Sequence, residues 1–164
     1  MTSEHLLHTI PPIYDRNSKI LILGSFPSVK SREVSFYYGH PQNRFWRVLA
    51  AVLGCAVPSS NEEKTALLHS HNIALWDIIK SCDIVGSSDS SIKNVVPNDI
   101  GTILSSCGIR QIYSNGKTSE KLFNKYIKDT VGRDTVALPS TSPANASYNL
   151  ERLTDSWSVI KNNI

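Results

Sequence analysis

The segment Lys19-Ile-Leu-Ile-Leu-Gly-Ser25 is a short, continuous run of β-prone apolar residues that ends at a glycine. A strand that is apolar on both sides of its backbone is typical of a parallel sheet covered by helices on both faces. Similar runs occur later in the chain, at Asn72–Trp76, Gln111–Ser114 and Thr135–Leu138. The sequence therefore predicts a central four-stranded, mainly parallel sheet.

Amphipathic helical patterns lie between and after these strands. Asn43 precedes an apolar helical stripe, which includes Trp46 and ends at Gly54, and Ser60 with Glu63 forms a capping-box pattern. Further helical patterns follow Asn98, follow Thr118 or Ser119, and run from Leu150 to Ile160. Strands that alternate with helices predict an α/β fold, a three-layer sandwich, formed by one domain over residues 1–164.

The composition is that of an ordinary globular protein. Of the 164 residues, 40% are hydrophobic and 19% are charged, and no segment is long and apolar enough to cross a membrane. Residues 1–19 lack the basic start and the apolar run of a secretory signal. We therefore expect a cytoplasmic monomer that makes no contact with membranes.

The cysteines and histidines do not form the pattern of a metal or disulfide site. Cys55, Cys82 and Cys107 are isolated, and none belongs to a CxxC pair. His69 and His71 are two residues apart on a predicted helix, so their side chains point to different faces. We expect reduced thiols, no metal and no cofactor.

Positive charge is concentrated in two segments, although the formal net charge is only +3. Residues 16–47 carry 6 basic residues against 1 acidic residue, and residues 110–133 carry 6 against 2. If both segments flank one cleft, the cleft attracts a polyanion. The alternative is that both segments are solvated surfaces with no ligand.

The loops at the carboxyl ends of the predicted strands are the most unusual parts of the chain, and ligands bind at these ends in open parallel sheets. The first such region reads GSFPSVKSREVSFYYGHPQNRFWRVL from Gly24, and the last reads LPSTSPANASY from Leu138. Together these stretches resemble the two active-site motifs of the uracil-DNA glycosylase superfamily, within it the hypoxanthine-DNA glycosylase branch. The resemblance runs from about Ile20 to Tyr148.

The resemblance implies that the protein is a monofunctional glycosylase that removes deaminated bases, hypoxanthine first and uracil second, from DNA. Many relatives carry a catalytic Asp or Asn two residues after the glycine of the first loop, where this chain has Phe26. A phenylalanine cannot orient water. The hypoxanthine branch is similar in lacking this group, and the resemblance assigns catalysis to Asn43, which is also placed to cap a helix.

Several residues near the first loop are candidates for binding the base. The backbone N–H groups of Ser25 and Phe26 could stabilise charge on the departing base. An extruded base also needs aromatic faces to receive it, and the alternative for each aromatic residue here is core packing. These aromatic candidates are Phe26, Phe36, Tyr37 and Tyr38.

Three polar residues complete the predicted base site. Asp77 stands where relatives place an Asn that reads uracil, and a carboxylate can accept the N1–H of hypoxanthine. Its alternative role is a helix N-cap. Asn115 follows the third strand and could contact the base or only form a turn with Gly116, and His40 could donate to the substrate or only brace its loop.

The second motif is expected to bind DNA phosphates with hydroxyl and backbone N–H groups in a turn at a helix start. Its residues are Ser140, Thr141, Ser142, Pro143, Ala144 and Asn145. Relatives insert a bulky or basic side chain from this loop into the vacated stack, and here only Ala144 and Asn145 are available. Two other functional classes remain open, namely a DNA-binding module without catalysis and a hydrolase of small nucleosides or nucleotides.

Overall fold

The computed structural model describes residues 2–164, which form two sheets and seven α-helices. The strands are β1 (Glu4–Leu7), β2 (Ile20–Gly24), β3 (Ile73–Asp77), β4 (Ile79–Ile84), β5 (Lys93–Pro97), β6 (Gln111–Asn115) and β7 (Thr135–Leu138). The helices are α1 (Val29–Val34), α2 (Phe45–Leu53), α3 (Asn61–Ser70), α4 (Ile100–Ser106), α5 (Lys117–Tyr126), α6 (Lys128–Val131) and α7 (Leu150–Trp157).

The central sheet has the strand order β3-β2-β6-β7, and all its neighbouring strands are parallel. It contains the four strands that the sequence predicted. All five residues of β2 are buried, as expected for a central strand that is covered on both faces. The predicted four-stranded parallel sheet is confirmed.

Helices cover both faces of this sheet, so the predicted three-layer α/β architecture is also confirmed. Because alternate side chains of a strand point to opposite faces, Ile20 and Ile22 lie in one core with residues of α2, α3 and α7. Leu21 and Leu23 lie in the other core, with residues of α4 and α5. Trp46 is buried in the first core, as expected from its place on the apolar stripe of α2.

A second, antiparallel sheet with the order β1-β4-β5 was not predicted. The chain passes from β3 into β4 with only Ile78 between them, and Ile78 and Ile79 donate backbone hydrogen bonds to Gly24 and Ser25 (2.9 and 3.2 Å). The expectation of a loop after Trp76 is therefore wrong. Lys80, Ser81 and Asp83 interrupt the apolar run of this strand and hide its β character.

The helix boundaries follow most of the predicted signals. Gly54 ends α2 in the left-handed conformation (φ 69°), and the hydroxyl of Ser60 accepts a hydrogen bond from the Glu63 N–H (3.0 Å) at the start of α3. Helix α5 begins at Lys117, earlier than the predicted Thr118 or Ser119. Ser119 is buried, and its hydroxyl donates to the carbonyl of Leu23 (2.7 Å).

Among residues 2–164, no helix is both long enough and apolar enough to cross a bilayer.

Candidate functional site

A recessed cleft of about 370 Å³ lies at the carboxyl ends of β2, β3 and β6. This is the edge where open parallel sheets bind ligands. The aromatic candidates Phe26 and Tyr38 line it, and so do all but one of the predicted non-aromatic site residues, namely Ser25, His40, Asn43, Asp77, Asn115, Ser140, Thr141, Ser142, Pro143 and Ala144. Asn145 is the exception, because its side chain turns back to donate to the carbonyl of Ser140 (3.0 Å).

Asn43 lies at the cleft wall, two residues before the start of α2. Its Oδ1 accepts hydrogen bonds from the Phe45 N–H and from the Thr141 hydroxyl, both at 2.9 Å. The N-cap of α2 is Arg44, so Asn43 stands one residue before the cap position that the sequence predicted for it, although its bond still satisfies the N–H of the first helical residue. Since both lone pairs of Oδ1 are engaged, the amide NH2 is the part of Asn43 that remains for a ligand. The side chain therefore offers donors to the cleft.

Thr141 connects Asn43 to Asn115, the last residue of β6. It is completely buried, and it makes two hydrogen bonds with Asn115, one from Asn115 Nδ2 to its hydroxyl (3.0 Å) and one from its own N–H to Asn115 Oδ1 (3.1 Å). The three residues form a directed chain of bonds from Asn115 through Thr141 to Asn43. Asn115 thus stabilises the loop of the second motif, residues 140–145, in addition to lining the cleft.

Arg44 holds the same loop from the helix side. Its guanidinium donates to the carbonyl groups of Ser142 (2.8 Å), Asn145 (3.1 Å) and Tyr148. Arg32 is likewise engaged, with the carbonyl of Pro27 (2.7 Å). Part of the positive charge counted in residues 16–47 therefore holds loops together instead of facing a polyanion.

The second loop also uses its own polar groups. The Ser142 N–H donates to the Ser140 hydroxyl (3.1 Å), and the Ala144 N–H donates to the Ser142 hydroxyl (3.2 Å). The prediction that this stretch opens a helix is wrong, because α7 begins only at Leu150, after the N-cap Asn149. The N–H groups of Ser142 and Ala144 are thus already bound within the turn. A phosphate would have to displace the hydroxyls of Ser140 and Ser142 to bind them.

Asp77 ends β3 and is 4% exposed. The alternative role of a helix N-cap is wrong, because the chain continues as a strand. His8 Nε2 lies 2.8 Å from Asp77 Oδ2, and both side chains are almost completely buried. Residue 24 has to be glycine, because a Cβ here would lie 2.4 Å from Asp77 Oδ1, the oxygen that His8 does not contact.

Tyr38 stands next to this carboxylate and carries strain. Its backbone is in the left-handed region (φ 53°), and its ring stacks on Phe45 with the centroids 4.1 Å apart. Its hydroxyl is buried and has no hydrogen-bond partner among residues 2–164. Burial raises the pKa of Tyr38 and the nearby charge of Asp77 raises it further, while the neighbouring Asn115 side chain opposes this rise without cancelling it. The phenol therefore stays protonated and can donate a hydrogen bond.

The aromatic candidates divide between the cleft and the core. Phe26 lines the cleft, whereas Phe36 does not and packs against Trp46. Tyr37 touches the cleft wall, yet it is 2% exposed and its hydroxyl donates to the carbonyl of Pro11 (2.8 Å). The core alternative is correct for Phe36 and describes most of the contacts of Tyr37.

Two acid–base groups of the site were missed by sequence reasoning. His8 reaches Asp77 from the unpredicted second sheet, and Asp89 reaches the Ser25 hydroxyl, which donates to it (3.2 Å), from a 3-10 turn at Asp89–Ser91. Partial desolvation in the cleft raises the pKa of Asp89, an effect that the Ser25 hydrogen bond opposes. Nothing in the flanking residues indicates either contact, because both depend on the second sheet.

The described residues show no metal centre. Within residues 2–164, His, Cys, Asp and Glu side chains nowhere come together in a group of three or more that could hold a metal ion. His40 lies at the cleft rim, and its Nδ1 accepts the Gln42 N–H (3.1 Å).

Replacement of Thr141 by valine tests the chain of bonds across the cleft. Thr141→Val keeps the shape of the side chain but removes the hydroxyl, which leaves the Asn115 NH2 without this acceptor. We expect a loss of about 1–3 kcal/mol in the free energy of unfolding, measured by urea titration at constant slope. Thr141→Ser, which keeps the hydroxyl, is the control and should lose less. Equal losses for the two variants would show that the methyl packing matters and the hydrogen bonds do not.

Comparison with known proteins agrees with this geometry. Residues 11–161 match the family model described as "Uracil DNA glycosylase superfamily". The chain is 35% identical to a protein of Methanosarcina barkeri named "Hypoxanthine DNA glycosylase", over 82% of this chain and 85% of the relative. A protein of the same name from Methanosarcina acetivorans is 34% identical, over 92% and 94% of the two chains.

A solved structure shares the fold. The solution NMR structure of a candidate uracil DNA glycosylase from Methanosarcina acetivorans superposes with a TM-score of 0.79 and 32% identity. The match covers 93% of this chain and 94% of that chain.

Proposed function

Because this chain belongs to the uracil-DNA glycosylase superfamily, we propose that it is a DNA glycosylase that hydrolyses the N-glycosidic bond of deaminated bases, hypoxanthine first and uracil second. The observation that carries the proposal is the pairing, in one cleft, of a protonated donor at Tyr38 with a carboxylate acceptor at Asp77. Both lie within 3.0 Å of the position where a Cβ of Gly24 would stand.

This donor and acceptor match the edge by which hypoxanthine and uracil differ from their parent bases, adenine and cytosine. Hypoxanthine and uracil each present a carbonyl oxygen beside a ring N–H, whereas adenine and cytosine present an amino group beside an unprotonated ring nitrogen. A phenol that only donates can bind the carbonyl oxygen, and a carboxylate that only accepts can bind the N–H. For adenine or cytosine both interactions are reversed, and a desolvated pocket rejects such a mismatch strongly.

Asn43 is the proposed catalytic residue. Departure of the base leaves an oxocarbenium-like sugar and a negatively charged base, so donors close to the reaction centre favour the transition state. The Asn43 NH2 group can hold the attacking water by its oxygen. Ser25 and Phe26 line the same cleft, and we propose that their N–H groups take up charge on the base.

The product should be an intact abasic site. A lyase reaction needs an amine that forms a Schiff base with the sugar, and none of the residues that line the cleft is a lysine. We propose that the enzyme acts as a monomer, since one chain supplies the whole cleft. A cytoplasmic location would keep its cysteines, which are unpaired in the structure, reduced.

One assay tests this proposal. Duplexes that carry a single inosine, uracil or mismatched thymine are incubated with the protein, and abasic sites are then cleaved with alkali. Release of hypoxanthine, and more slowly of uracil, is the expected result. Binding without base release would favour a DNA-binding module without catalysis, and hydrolysis of free deoxyinosine but not of the oligonucleotide would favour a nucleoside hydrolase.

Asn43→Ser separates catalysis from helix capping. Serine caps a helix about as well as asparagine but has no amide, so unfolding and DNA binding should stay near normal. The single-turnover rate on inosine should fall by about 10²–10⁴-fold. Asn43→Ala, which removes the cap as well, should also lose about 1 kcal/mol of stability. A fully active serine variant would remove the catalytic assignment and direct attention to His40 and Ser142.

Asp77→Asn should shift the preference from hypoxanthine towards uracil. His8 can still bind the amide oxygen, so the new NH2 group would face the N1–H of hypoxanthine, donor against donor. We expect the activation free energy for release of hypoxanthine to rise by about 1–3 kcal/mol, which slows the reaction on inosine. Uracil release should fall less, because the smaller base can shift so that its O4 accepts a hydrogen bond from the new NH2 group, and the resemblance implies that an amide here reads uracil. An unchanged ratio of inosine to uracil rates would remove Asp77 from base recognition.

A second groove suggests where the DNA strand continues. It lies between β5 and α5, has a volume of about 570 Å³, and meets the cleft at Asp89. Three lysines line it, namely Lys93, Lys121 and Lys125. The lysine salt bridges of residues 2–164 involve other side chains, Lys30 with Glu33 and Lys128 with Asp134. We infer that phosphates next to the extruded nucleotide bind along this groove.

Charge reversal in this groove should change the salt dependence of binding. Lys121→Glu with Lys125→Glu removes two cations, and the slope of log K against log salt should become shallower by about 2. The control is Lys128→Glu with Lys161→Glu, which changes the net charge equally but lies outside the groove. If the groove variant keeps the wild-type slope, α5 does not contact DNA.

A further inference from the structure

His8 follows the last residue of β1. Its N–H donates to the carbonyl of Lys80 (2.7 Å), so the backbone pairing of β1 with β4 extends to this residue. Its side chain is 2% exposed, and Nε2 lies 2.8 Å from Asp77 Oδ2. The edge strand of the second sheet thereby reaches the floor of the cleft in the first.

Packing fixes the plane of the His8 ring. The ring meets Phe26 edge-on, with the centroids 6.0 Å apart and an angle of 78°, and it lies 6.2 Å from Tyr37 at 41°. A ring confined on two sides cannot turn freely. Since a carboxylate only accepts, Nε2 must carry the proton of the hydrogen bond to Asp77.

This bond decides which oxygen of Asp77 is available. Oδ2 is occupied by His8, whereas Oδ1 faces the backbone of Gly24 beside the Tyr38 hydroxyl, and Asp77 lines the cleft. Without the donor, the carboxylate would be buried with one oxygen unsatisfied and could rotate away from this orientation. The His8 contact therefore orients the Asp77 carboxylate through Oδ2 and leaves Oδ1 for the base.

We propose that His8 is a positioning residue, which orients Asp77 so that Oδ1 accepts the ring N–H of a deaminated base. The proposal rests on the proposed function of the cleft. His8 does not touch the substrate in this role, and its whole effect passes through Asp77. The N-terminal strand β1 is then a working part of the base pocket.

The chain supplies a matched control on the same strand. His5 also pairs with an aspartate, Asp83, at 2.7 Å between Nδ1 and Oδ1. The His5 side chain is 62% exposed, and neither residue lines the cleft. His5→Ala removes a histidine–aspartate contact from β1 without disturbing Asp77.

The first experiment measures the coupling between the two residues. Single-turnover release of hypoxanthine is compared for wild type, His8→Ala, Asp77→Ala and the double variant, at a temperature where circular dichroism shows all four folded. We expect His8→Ala to cost about tenfold with Asp77 present and less than twofold in the Asp77→Ala background. The proposal would be overturned if the loss in the double variant equalled the product of the two single losses. It would also be overturned if His5→Ala lost as much rate as His8→Ala.

The second experiment uses variants that change the side chain less. In glutamine the Nε2 donor stands at the same number of bonds from Cβ as histidine Nε2, whereas asparagine is too short. His8→Gln should recover most of the rate and His8→Asn should not. Equal rates for these two variants would overturn the positioning role even if His8→Ala did not fold. Absence of base release by the wild type would instead overturn the proposed function.

Discussion

Burial of β2 on both faces is the constraint on which the rest of the structure depends. Ile20 and Ile22 are covered by one layer of helices, and Leu21 and Leu23 are covered by the other. Such a strand must lie inside a parallel sheet, with β3 and β6 as its neighbours. The carboxyl ends of three parallel strands then meet at one edge, which brings Gly24, Asp77 and Asn115 to the same cleft.

Hydrogen bonds between loops complete the cleft that the sheet begins. Thr141 joins Asn115 to Asn43, while Arg44 holds the carbonyl groups of the loop that contains Thr141. The contacts of Asn43 and Arg44 with this loop link segments about a hundred residues apart in sequence. A site whose polar groups are fixed by neighbours before the ligand arrives loses little further entropy when it binds. The loop rich in serine and threonine is therefore a rigid wall of the site.

The sequence was sufficient for the central sheet, and nearly every site residue that it predicted lines the cleft, because these depend on local apolar runs and on loops at strand ends. It was insufficient for the second sheet, since Lys80 and Asp83 break the pattern of β4. His8 and Asp89 were missed for the same reason. The charge pattern misled for Arg44 and Arg32, because a count of charges cannot distinguish a guanidinium that binds carbonyl groups from one that faces solvent.

The left-handed backbone of Tyr38 and its buried hydroxyl, which has no hydrogen-bond partner among residues 2–164, make this position a local weak point of the fold. A different residue here could relax the backbone or remove the buried hydroxyl, and the protein would gain stability. Selection for a more robust chain therefore opposes selection for base recognition at this position. A ligand that hydrogen-bonds to the hydroxyl offsets part of this loss of stability. The stability of the fold therefore depends on the fraction of the enzyme that is bound to substrate.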